Sequence, residues 1–87
     1  MPNQSLDKTQ TFSLYDERDK LVREILTTVY QALREKGHDP VVQLVGYILS
    51  EDPTYITNHK NARALICRLD RFELMGALVK YYLGIEK

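Results

Sequence analysis

The stretch "DPVVQLVGYILSEDP", Asp39 to Pro53, decides the fold class. Asp39 can accept from the free N–H groups at a helix start. Pro40 then falls at the first helical position, where its missing N–H costs nothing. The "VVQLVGYILS" that follows is apolar on nearly every side, so this helix must be buried on several faces. Gly46 in its middle costs about 1 kcal/mol against alanine. Close packing of a neighbouring helix would offset that. Asp52 and Pro53 repeat the cap-plus-proline device, which predicts a short helical turn in "SEDPTYI".

Toward the N-terminus lies a longer amphipathic helix. Asp16 can cap it, and Glu17 and Asp19 suit the positive end of its dipole. Leu21, Val22, Ile25, Leu26, Val29, Tyr30 and Leu33 fall within about half the circumference at 100° per residue. Lys20, Arg23, Glu24, Thr27, Gln31, Arg34 and Glu35 take the other half, and Lys36-Gly37 ends the helix. Residues 1–15 show no sustained period and read as a mobile tail; residues 16–87 read as the domain.

Toward the C-terminus, "TNHKNARALICRL" predicts a third long helix from about Asn58 to Leu69. "DRFE" supplies a D-x-x-E capping box, with Asp70 as cap and Glu73 reaching back. The last helix covers 71–83, and Gly84 closes it. The expectation is an all-α, compact bundle of about four helices plus a short helical turn. A domain this small is marginal, and its helices show more apolar surface than a thin bundle hides. A homodimer would bury the surplus; a compact monomer with broad stripes is the alternative.

The bulk composition excludes more than it selects. In 87 residues, 12 basic side chains balance 12 acidic ones, 44% are apolar and 28% charged, which is ordinary for a soluble globular domain. No run approaches the roughly 20 apolar residues that span a bilayer, so no membrane insertion is expected. "MPNQSLDKTQ" lacks the basic start and apolar core of a secretory signal. With the single cysteine, Cys67, these features fit a cytoplasmic protein. His38 and His59 are not spaced as metal ligands. No H-E-x-x-H, G-x-S-x-G or phosphate-cradling glycine loop is present. Neither an enzyme nor a metal or cofactor site is expected.

One segment carries a charge pattern. Lys60, Arg63, Arg68 and Arg71 fall within about 140° on a helical wheel if the third helix runs that far. Ala62, Leu65, Ile66 and Leu69 cluster opposite. The basic face is either simply solvated or a docking surface for an acidic or phosphorylated partner, since arginine forks grip carboxylates and phosphates. Cys67 projects to the same side, where cations favour a reactive thiol. The same residues allow an alternative: a small, transcription-associated helical protein that binds nucleic acid. Zero net charge gives that reading a weak electrostatic footprint, so no nucleic acid is the expectation. In the tail, Thr9 and Thr11 are hydroxyls accessible to a protein kinase. Phosphate there would add about two negative charges.

The run "GHDPVVQLVGYILSEDPTYITNHKNAR", Gly37 to Arg63, resembles the central signature of the IreB family (also called ReoM or YrzL) of Gram-positive bacteria. Gly37, Pro40, Gln43, Val45, Gly46, Tyr47, Ser50, Asp52, Pro53, Tyr55, Ile56, Ala62 and Arg63 stand at its positions. "VYQALREKG" and "LVKYYL" extend the resemblance over nearly the whole chain. It implies a non-enzymatic, cytoplasmic, all-helical homodimer whose tail is a substrate of a membrane-bound PASTA-type Ser/Thr protein kinase. It also implies a role in peptidoglycan synthesis and β-lactam tolerance, through ClpCP-dependent turnover of MurA and a protease-adaptor partner. The family's acceptor lies in a D-x-T motif, here Asp7-Lys8-Thr9, so Thr9 is the first candidate and Thr11 the second. Arg63, Arg68 and Arg71 match basic family positions that look like a partner-binding face. This chain departs from the pattern at Glu51, usually glycine, and at Thr57, usually proline. Asn58 and Cys67 stand where many members carry arginine.

Overall fold

The computed structural model describes residues 2–85, with side chains from 17 to 85. Four α-helices follow in order: α1 (Pro2–Glu35), α2 (Pro40–Ser50), α3 (Ala62–Cys67) and α4 (Arg71–Leu83). Two single 3₁₀ turns, Pro53–Tyr55 and His59–Asn61, join α2 to α3. The all-α expectation holds, as do both cap-plus-proline starts. Asp39 accepts from the N–H groups of Val41 and Val42 at 3.1 and 3.3 Å. Asp52 accepts from the backbone N–H of Thr54 at 3.0 Å. The helix stops are also where the sequence puts them. Gly37 and Gly84 both take left-handed backbone, with φ of 80° and 77°. Behind each, a paired set of N–H groups returns to the last turn: His38 N to Leu33 O and Gly37 N to Arg34 O at one end, Ile85 N to Lys80 O and Gly84 N to Tyr81 O at the other.

α1 is the scaffold. Val22, Ile25, Val29, Ala32 and Leu33 on one of its faces join Tyr47, Ile56, Ala62, Ile66, Leu69 and Leu74 in a single buried cluster. α3 packs most closely on α1, and α2 and α4 pack on it as well. The molecule is 54 Å long because α1 is, since 34 residues at 1.5 Å each make about 51 Å.

Three expectations change. The α1 backbone is helical from Pro2, so Asp16 lies inside the helix and not at its start. No glycine or proline intervenes between Pro2 and Gly37 to stop it. The predicted helix from Asn58 to Leu69 is really a turn followed by the six residues of α3. Lys60 and Asn61 are left-handed, with φ of 55° and 62°, which breaks any continuous helix between them and Ala62. Thr57 does accept from His59 N at 3.1 Å, but the turn it caps lasts only His59–Asn61. Finally, α2 is not buried on several faces within the chain: only Tyr47 is, while Val41, Val42, Val45 and Leu49 are exposed.

Candidate partner-binding face

The four basic residues that a helical wheel puts together do not lie on one helix. Lys60 precedes α3 on left-handed backbone, Arg63 begins that helix, Arg68 follows its end and Arg71 opens α4. Two of them are tied to backbone carbonyls. Arg63 Nε donates to Ile56 O at 2.8 Å. Arg71 donates to Ile48 O near the end of α2 and also pairs with the carboxylate of Glu51. Both guanidinium groups are therefore cross-braces, filling acceptors that a loop or helix end leaves open. Sequence reasoning missed this role.

Lys60 is engaged as well. Its ammonium stands 3.2 Å from one Glu35 oxygen while His59 Nε2 meets the other at 2.7 Å. The two contacts, His59 first, hold the Glu35 carboxyl below its ordinary range. A parallel clamp joins α1 to α4. Arg18 Nε and Nη2 reach both oxygens of Glu73 at 2.5 and 2.6 Å. That fork lowers the Glu73 carboxyl and raises the Arg18 guanidinium. Arg18 is the first α1 side chain, among those described, to contact another element this way. Glu73 N donates to Asp70 at 3.3 Å, so the D-x-x-E cap forms with Glu73 shared between cap and clamp.

Arg68 remains an exposed cation with no bonded partner among the described residues. Beside it, Cys67 is exposed, and its thiol neighbours the Tyr47 hydroxyl. Burial, then the neighbouring thiol, push that phenol up. The side chains of Lys60 and Arg71 keep 52% and 36% of their surface exposed despite these contacts. A six-residue α3 is about 9 Å long, too short for the recognition helix that the nucleic-acid alternative needs.

What packs closest on Gly46 is a side chain from a turn. The Tyr55 ring, delivered by the first 3₁₀ turn, lies over it: a Cβ at Gly46 would stand 2.5 Å from Tyr55 Cε1. Gln43 Nε2 donates to Tyr55 O at 2.9 Å and holds the turn against α2. A groove of about 410 Å³ between α1 and α4 lies elsewhere; Lys20, Arg23, Tyr81 and Ile85 help line it. Arg23 sits over the Tyr81 ring there, 5.3 Å from its centre.

Among the described residues there is no cluster of three or more metal-ligating side chains and no helix long and apolar enough to cross a membrane. Thr9 and Thr11 lie on the α1 backbone, outside the described side chains.

Residues 7–84 match the family model described as IreB regulatory phosphoprotein. The chain is also 51% identical over 78 residues to a protein named "UPF0297 protein" from Ruminiclostridium cellulolyticum, covering 90% of this chain and 89% of that one.

Proposed function

Because the chain belongs to the IreB regulatory phosphoprotein family, a family of regulators on which a protein kinase acts, we propose that it is a phosphorylation-switched, cytoplasmic regulator of peptidoglycan synthesis. The observation that carries this reading is that the family match begins at Asp7, so the Asp7-Lys8-Thr9 motif falls inside it. Thr9 is the principal acceptor of a PASTA-type Ser/Thr kinase, and Thr11 the second. Residues 1–15 act as an accessible arm. A helical stretch of about 15 residues is marginal in water unless other elements support it.

The folded part works as a homodimer. It engages a protease-adaptor partner through the face around Arg68 and the outward edges of Lys60 and Arg71, and so affects ClpCP-dependent turnover of MurA and β-lactam tolerance. Phosphate on Thr9 alters that engagement by competing for the same cations or by repelling an acidic partner surface. A charge-assisted contact is worth about 1.5–3 kcal/mol, enough to change affinity tenfold.

Site mapping by mass spectrometry after incubation with the cognate kinase domain tests the switch. One phosphate on wild type that vanishes in Thr9→Ala supports it. Full labelling of a Thr9→Ala/Thr11→Ala double variant sinks it.

A further inference from the structure

The groove between α1 and α4 combines an apolar floor with a basic rim. Val22 lines it and is almost fully buried, while Leu26 and Ala77 pack against the same core cluster. On the α4 side, Leu78 and Tyr81 stay 39% and 73% exposed. Such exposure marks an open trough, whereas a small-molecule pocket buries most of its ligand. A trough between two helices suits a peptide that lays an apolar face into it.

The flanking contacts give the trough its direction and length. Arg18 pairs with Glu73, and further along Arg23 sits over the Tyr81 ring, so α1 and α4 run in the same sense. The lining on α1 extends from Asp19 to Thr27. Eight steps of 1.5 Å make about 12 Å, a little over two helical turns. A helix laid there presents side chains at i, i+3 or i+4, and i+7.

Charge selects the occupant. The whole chain balances 12 basic residues against 12 acidic ones. Among the described residues, the groove is lined by Lys20, Arg23 and Lys80 against a single acid, Asp19. The contact with Tyr81, 5.3 Å from the ring centre, fixes the Arg23 cation at the groove without using up its fan of N–H donors. A second copy laid groove to groove would bring the same cations and meet like charge. A nucleic acid would match the cations and leave the apolar floor unfilled. Acidic side chains beside apolar ones satisfy both parts.

We propose that the α1–α4 groove docks a short acidic amphipathic helix of a partner protein, with its apolar side chains over Leu26 and Leu78 and its carboxylates toward Lys20 and Arg23. None of Lys60, Arg68 and Arg71 lines this groove. Docking there is therefore independent of the adaptor-binding face and needs no phosphate on Thr9.

Amide chemical-shift mapping on the full chain tests the assignment. The probe is a blocked peptide of about 15 residues with leucine at i, i+3, i+4 and i+7, and glutamate and glutamine elsewhere. Its twin carries lysine in place of every glutamate. The acidic peptide should shift the amides of Arg23, Leu26, Leu78 and Tyr81 saturably, and the lysine twin should bind about tenfold or more weakly. Lys20 and Arg23 are both exposed, so Lys20→Glu and Arg23→Glu should keep the far-ultraviolet circular dichroism of wild type. Each should weaken the acidic peptide about tenfold. No saturable shift on wild type, or equal binding of the two peptides, overturns the proposal. So do shifts confined to the α2 face or to the surroundings of Arg68, and so does unchanged affinity in whichever of the two variants keeps the wild-type fold.

Discussion

The Tyr55 ring on Gly46 makes a prediction whose sign reverses with background. A methyl group placed on Gly46 would lie 2.5, 2.6 and 3.0 Å from Cε1, Cδ1 and Cζ of the ring, against about 3.5–4.0 Å for carbon atoms at rest. The ring must therefore move by about 1 Å. Its backbone cannot follow, because Tyr55 N donates to Asp52 O at 3.2 Å and Gln43 holds Tyr55 O. What remains is a swing of the side chain toward water, from a start of 38% exposure. Overpacking of this kind costs about 1–3 kcal/mol, and removing a helix-interior glycine returns about 1 kcal/mol. Gly46→Ala should thus destabilise wild type by about 1 kcal/mol. In a Tyr55→Ala background the obstacle is gone, and the same substitution should stabilise by up to about 1 kcal/mol. The coupling, about 2 kcal/mol, lies within the usual range for residues in contact. Thermal unfolding at one fixed protein concentration would read it, since 1 kcal/mol moves Tm by about 4–8 °C in a domain of this size. If Gly46→Ala raises Tm equally in both backgrounds, the ring does not press on the helix and the argument fails.

Further outcomes follow from the braces. Arg63→Ala should cost about 1.5–3 kcal/mol in urea unfolding by stripping Ile56 O of a charged donor, whereas Arg68→Ala should stay within about 0.5 kcal/mol and lower only partner affinity. Glu51 ends α2 with φ of 62°, which costs a side-chain-bearing residue about 1 kcal/mol. Glu51→Gly should therefore raise Tm slightly despite losing an exposed pair with Arg71. Glu35 and Glu73 are both held below the ordinary carboxylate value of about 4.3. Their contribution is complete above that value and drains away as pH falls through the lower folded values. Glu35→Gln and Glu73→Gln should each flatten the acid limb of a stability–pH curve below about pH 5.

Local chemistry was enough to read where most elements begin and end. Asp39-Pro40, Asp52-Pro53 and Asp70 start helical structure because a short carboxylate satisfies free N–H groups in any tertiary setting. Gly37 and Gly84 stop it because only glycine takes left-handed backbone without strain. The α1 core stripe was legible for the same reason, since a period of 3.6 is a property of one chain segment. What the sequence could not yield was the use of its charges. The wheel assumed a continuous helix through Lys60 and Asn61, and left-handed backbone at both breaks it. Arg63 and Arg71 look like solvent-facing cations until Ile56 O and Ile48 O are brought beside them. Glu51 looks like a misplaced acid until Arg71 arrives from 20 residues away. The Arg71 partners lie 20 and 23 residues away, and even Ile56 O, seven residues from Arg63, meets it only when the segment between α2 and α3 folds back. Caps and periods are contacts within a few residues. The roles of the arginines and of Gly46 under Tyr55 are contacts between elements, and only the packed chain decides those.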